Sequence, residues 1–187
     1  MSIVLASASP RRQELLRKAG ITFRVHPAEI DETPRRDEPA QPFAERMARE
    51  KAEAIRQRFP EEKFILGAYT VVVVDNLILG KPQDAADAAR MLRLLSGREH
   101  QVITGVFVST PDMENVRSEI TTVHFSAMSD DDIRGYIATG EPMDKAGAYA
   151  IQGGAARWIL KVEGDYNNVV GLPLDLVGRM LRDFGAL

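Results

Sequence analysis

Residues 64–74 read FILGAYTVVVV and hold no charged side chain. A valine-rich run of this length is the pattern of a strand buried on both faces, since an exposed face would show polar alternation. Such a strand needs helices on both sides of its sheet. The flanking sequence offers them. Ser9-Pro10 reads as an N-cap and first helical position for a helix over 11–19, closed by Gly20. Phe43, Met47, Ala48, Ala52, Ile55 and Phe59 recur at helical spacing, which predicts an amphipathic helix over 43–59. Asp84 suits the cap of a helix to Leu95, ended by Ser96-Gly97. Ser129 with Asp132 makes a near-capping box for a helix to Ala138, stopped by Gly140, and residues 172–184 close the chain as a helix.

Extended segments fall between these helices at 2–6, 22–25, 77–79, 102–109, 120–125, 148–151 and 158–162. Asp75-Asn76 is a hairpin turn signal, and Pro111-Asp112 marks a second turn. Hairpins force antiparallel pairs, so the expected fold is α/β with a mixed sheet. Residues 28–42 carry Pro34, Pro39 and Pro42 among acidic residues and read as a polar loop.

At 187 residues the chain is expected to form one domain over 1–187. No cysteine is present, which excludes disulfide scaffolds, thiolate zinc sites and thiol nucleophiles. The net charge of −3 gives no overall basic field for nucleic acid. No apolar run reaches the roughly 18–20 residues of a membrane span. The first residues, MSIVLASASPRR, place their charges after the apolar stretch, the reverse of a secretory signal, so a cytoplasmic protein is expected.

Four places could carry chemistry. Ser7-Ala8-Ser9-Pro10-Arg11-Arg12 lies at a strand-to-helix junction, where backbone N–H groups and the helix dipole favour an anion and the guanidiniums suit phosphate oxygens. A capped helix with solvated arginines fits the same residues. Lys51, on the amphipathic helix, and Lys81, in Leu79-Gly80-Lys81-Pro82 after a strand, are candidate phosphate contacts or solvated lysines. Glu29-Ile30-Asp31-Glu32 offers hard oxygens of the kind that hold Mg²⁺ or Mn²⁺, or a solvated acidic loop. The stretch 140–154 is dense in glycine, which allows close backbone approach to a ligand, with Lys145 and Gln152 as a charge and a two-sided amide. His26, His100 and His124 show no metal-ligand spacing.

Taken together these segments have a recognisable order. Ser7-Ala8-Ser9-Pro10-Arg11-Arg12-Gln13-Glu14-Leu15-Leu16, Asp31-Glu32, Arg49-Glu50-Lys51-Ala52 and Leu79-Gly80-Lys81-Pro82 are followed by Leu95-Ser96-Gly97-Arg98-Glu99-His100. Asp144-Lys145-Ala146-Gly147-Ala148-Tyr149, Gln152-Gly153 and Asn168-Val169-Val170-Gly171-Leu172-Pro173-Leu174 come after them. The series resembles the Maf family over essentially the whole chain. That resemblance implies a nucleoside triphosphate pyrophosphatase that cleaves between the α- and β-phosphates with a divalent metal, Mg or Mn. It implies a fold similar to the inosine triphosphate pyrophosphatases, a long mixed sheet with two lobes around a central groove. It also implies a homodimer.

Gly67-Ala68 with Thr70, Lys145 and Gln152 resemble the branch acting on dTTP and UTP or modified pyrimidine nucleotides. Arg11, Thr70 and Gln152 then match positions of substrate choice. Ser7, Arg12, Lys51 and Lys81 match phosphate-binding positions, and Glu32 matches the metal position. The family's catalytic aspartate falls on Tyr69. A phenol with an ordinary pKa of about 10 is neutral near pH 7 and a poor ligand for Mg²⁺. Asp75 lies six residues along the strand, about 20 Å away, and Asp31 stands next to Glu32, where adjacent side chains point apart. The expectation is a weak or inactive pyrophosphatase that keeps its nucleotide site. The alternative is a non-catalytic nucleotide-binding regulator linked to cell division.

Overall fold

The computed structural model describes residues 2–187. Its order is β1 (Ile3–Leu5), α1 (Pro10–Lys18), β2 (Phe23–Val25), α2 (Ala40–Arg58), β3 (Ile65–Val74), β4 (Leu77–Leu79) and α3 (Ala85–Leu95). Then come β5 (Glu99–Ser109), β6 (Glu114–Phe125), α4 (Asp130–Ala138), β7 (Ile159–Glu163), α5 (Tyr166–Val170) and α6 (Leu174–Asp183). The seven strands form one sheet in the order β2-β1-β3-β5-β6-β7, with β4 paired to β3. β1 runs parallel to β2 and β3, whereas β4 is antiparallel to β3 and β7 to β6, so the sheet is mixed as expected. The α/β reading of the charge-free run holds: β3 is buried along most of its ten residues.

The chain divides into two compact units. The first takes residues up to 70, 104–119 and 171–187. Its core includes Val4, Ala6, Ala48, Ala52, Ile55, Ile65 and Phe107. Here α2 lies very close to the sheet. A Cβ built on Gly67 would run into the Ala48 carbonyl, and one on Gly105 into the backbone of Ala44 and Glu45. These two mid-strand glycines are there for helix-on-strand contact rather than for a turn. The second unit takes 71–103 and 120–170, and its core gathers α3, Val102, Val123, Phe125, Tyr136, Tyr149 and Trp158.

Local signals explain most boundaries. Asp75 and Asn76 both have positive φ, 49° and 64°, the conformation of the tight hairpin turn that joins β3 to β4. Asp84 accepts from the Asp87 amide at 2.8 Å and caps α3. Ser129 and Asp132 form a reciprocal capping box at the start of α4. Ser9 stands at the N-cap of α1, but its side chain does not cap the helix. Its own amide instead donates to Ser7 Oγ at 3.2 Å.

Two expectations fail. Residues 148–151 are not a strand. Gly147 and Ala148 take φ of 68° and 60°, which interrupts extended backbone within the 3-10 segment Ala146–Ala148, flanked by others at Glu141–Asp144 and Gly154–Trp158. The predicted helix over 172–184 starts later, at Leu174, because Gly171 has φ of 129° and Pro173 has no N–H to give. The short helix α5 precedes it, started by Asp165, whose carboxylate accepts from the amides of Asn167 and Asn168.

Candidate functional site

In the first unit, the loop after β1 hands the chain to α1 and sets Arg12 against the middle of β3. The guanidinium makes four hydrogen bonds. Nε donates to the Gly171 carbonyl at 2.8 Å. Nη1 donates to Ser7 Oγ at 3.1 Å and to the Ala68 carbonyl at 2.9 Å. Nη2 donates to Thr70 Oγ1 at 3.1 Å. Thr70 also shares a 2.9 Å contact with Thr104 Oγ1. Desolvation, reinforced by neighbouring Arg11, lowers the Arg12 pKa to about 10, which still leaves it charged at neutral pH. With four of five donors used on the protein, Arg12 organises this corner and has little left to offer a ligand. Arg11 lies beside it on α1, half-buried.

A second cluster surrounds position 69. Tyr69 Oη donates to Glu32 Oε2 at 3.0 Å. Lys51 Nζ, reaching across from α2, donates to Glu32 Oε1 at 2.6 Å. The same ammonium lies 5.7 Å from the centre of the Tyr69 ring. Phe43 meets that ring edge-on at 5.5 Å between centroids. Burial, and then the negative charge of Glu32, push the Tyr69 pKa well above its ordinary value, so the phenol keeps its proton.

The loop that carries Glu32 is tied down by a residue the sequence reading did not single out. Arg46 on α2 grips Glu38 through two 2.7 Å bonds, from Nε and Nη2. It also reaches the Thr33 carbonyl at 3.2 Å and Glu50, one turn along α2, at 3.0 Å. The Arg46 contact holds the Glu38 pKa down at about 2. The only sequence trace of this device is the Arg46–Glu50 spacing, which is indistinguishable from an ordinary surface pair.

In the second unit, the Gly147 amide donates to the Gly80 carbonyl at 3.0 Å, so the loop carrying Lys81 runs beside the loop carrying Lys145. Lys81 is exposed. Lys145 Nζ is bound within its own loop, to the Glu141 carbonyl at 2.8 Å and to Asp144 at 2.6 Å. Gln152 is exposed on the turn before Gly153. Ser7, Arg12 and Thr70 are therefore brought together, as are Glu32, Lys51 and Tyr69. Lys81 and Lys145 share neighbouring loops.

The donor set around Glu32 does not fit a divalent ion. A magnesium or manganese site asks for several oxygen lone pairs. Here one carboxylate oxygen faces a hydroxyl proton and the other an ammonium. Asp31, beside it in sequence, turns its Oδ1 to the amide and hydroxyl of Thr33. Asp75 is bound through both oxygens by Arg98, at 2.6 Å each. Among the described residues no group of three or more histidine, aspartate or glutamate side chains could hold a metal. No described helix is long and apolar enough to cross a membrane.

Sheet order defines an α/β protein built on an open mixed sheet. The Staphylococcus aureus Ham1 protein shares this fold, with a TM-score of 0.53 at 14% identity, over 98% of this chain and 99% of that one. A family model described as Maf-like protein matches residues 2–184, and the chain belongs to that family. It is 53% identical to the dTTP/UTP pyrophosphatase of Koribacter versatilis (strain Ellin345), covering all of this chain and 96% of that protein. It is 53% identical to the protein of the same name from Geobacter sp. (strain M21), covering all of this chain and 97% of that one. The same identity holds for the one from Symbiobacterium thermophilum, over 98% and 94%.

Proposed function

We propose that this chain is by type a nucleoside triphosphate pyrophosphatase for dTTP, UTP or modified pyrimidine nucleotides, with turnover held low by Tyr69. The reaction type is attack of water on the α-phosphorus, release of pyrophosphate and formation of the monophosphate. Full-length identity of 53% to proteins named for this activity supports the substrate class. Ser7, Arg11, Lys51, Lys81 and Lys145 are the proposed phosphate contacts. Thr70 and Gln152 are the proposed determinants of nucleotide choice. Arg12 is a positioning residue that holds Ser7 and Thr70 in place.

The single observation behind the impairment is the Tyr69–Glu32 hydrogen bond. A phenol that keeps its proton cannot take one from water, and Glu32 already has both oxygens engaged. The magnesium or manganese ion that the resemblance implies does not fit this donor set. The same contacts favour a second reading, a nucleotide-binding regulator without turnover. A cytoplasmic location and a homodimer go with the family reading; light scattering of the purified chain tests the dimer.

The deciding assay is pyrophosphate release from dTTP and UTP by this chain and by Tyr69→Asp. Restoring a general base is expected to raise the rate by about 10²–10⁴-fold. Equal, robust rates in the two proteins would sink the impairment. Failure of both to bind or cleave either nucleotide would sink the substrate class. Binding without turnover in both would favour the regulator.

A further inference from the structure

We propose that this chain has closed its acidic position to divalent cations by supplying the cation itself, so that it takes its polyphosphate ligand metal-free. The ammonium of Lys51 sits 2.6 Å from Glu32 Oε1, where a bound ion would balance that carboxylate. The Tyr69 hydroxyl directs its proton at the other oxygen, 3.0 Å away. A metal entering here would have to displace both.

The arrangement is braced on three sides. The Lys51 side chain is only 12% exposed, and it lies over the Tyr69 ring. Phe43 packs edge-on against that ring and fixes its plane. Arg46 anchors the loop that brings Glu32 to the pair. Breaking a partly buried ion pair and an aligned hydrogen bond would have to be offset by ion–oxygen bonds. A lone glutamate is a poor basis for these, because Mg²⁺ demands near-ideal octahedral oxygens.

A consequence follows for the ligand, and this half rests on the nucleotide reading above. In a site that coordinates a metal, Mg²⁺ tightens triphosphate binding by bridging carboxylate to phosphate. Where Glu32 is already held by Lys51 and Tyr69, Mg²⁺ on the triphosphate only removes negative charge that Arg11 and Lys81 would attract. Added Mg²⁺ should then leave dTTP affinity unchanged or lower it.

Two measurements on the full chain separate these statements. Mn²⁺ is titrated into protein without nucleotide and followed by electron paramagnetic resonance. The expectation is no specific Mn²⁺ binding by this chain and the appearance of a site in Tyr69→Asp. A Mn²⁺ ion bound by the unmodified chain and lost in Glu32→Gln would overturn the proposal, whatever the aspartate variant does. Failure of a folded Tyr69→Asp to gain Mn²⁺ would remove Tyr69 as the cause and overturn it as well. Calorimetry of dTTP with EDTA and then with Mg²⁺ gives the second readout. Binding about tenfold tighter with Mg²⁺, a difference of about 1.4 kcal/mol, contradicts it. If dTTP binds under neither condition, the nucleotide reading fails, and the Mn²⁺ titration still decides whether the cation is excluded.

Discussion

A lysine at position 12 would keep the charge of Arg12 and lose its geometry. The guanidinium serves acceptors on Ser7, Ala68, Thr70 and Gly171. A single ammonium on a flexible stem cannot match that fork. Arg12→Lys is expected to cost about 1–3 kcal/mol through acceptors left without a donor, read as a lower urea midpoint at unchanged slope. His100 provides a second residue-scale test. It is buried and shares a 2.7 Å hydrogen bond with Tyr149 Oη, and burial lowers its pKa to about 4. The unfolded chain, with an ordinary histidine pKa of about 6.5, takes up a proton first. The neutral ring's contribution is therefore fully present above that value and is lost as pH falls toward 4. Between about pH 7 and pH 5 this chain should lose about 2 kcal/mol of stability through His100 alone, and His100→Gln should flatten that part of the curve. Neither environment was legible in the sequence. The partners of Arg12 come from positions 7, 68, 70 and 171, too far apart to form any local pattern. The strand-to-helix junction and its guanidiniums point to this corner, but to a phosphate site rather than to an internal clamp.

Elements with local punctuation could be read directly. Asp84, the Ser129–Asp132 box and the Asp75-Asn76 turn all act within four residues of where they stand. Asp84→Ala should remove the α3 cap and cost about 1 kcal/mol, visible as a lower thermal midpoint. Residues 148–151 were misread because Tyr149 and Ile151 are buried as strand residues would be, while the left-handed turn at Gly147 and Ala148 depends on packing. A Cβ on Gly147 would meet the Val72 side chain, a contact no periodicity reveals. The loop before α2 was correctly read as polar, yet its anchoring was hidden. Arg46→Ala should release Glu38 and the Thr33 carbonyl, loosening the segment that carries Glu32. Faster amide hydrogen exchange over residues 31–38, with exchange in α3 unchanged, is the expected signature.

On the scale of the molecule, the long charge-free run did fix the α/β class, since a strand like β3 has few other places to go. Its glycine carried information that hydropathy missed: Gly67, together with Gly105 of β5, lets α2 approach the strands of the first unit at backbone distance. Gly105→Ala should overpack that contact and destabilise the protein by about 3 kcal/mol or more, measured by denaturant unfolding. The division into units was less legible, because the first is assembled from three separate stretches of chain. Gly171, whose carbonyl receives Arg12 Nε, belongs to the last of them, 159 positions from its partner. During synthesis, Arg12 leaves the ribosome long before that carbonyl exists. The corner it organises can close only after residue 171 has been made, so a nascent chain already holds the residues of the second unit before this arginine clamp can form.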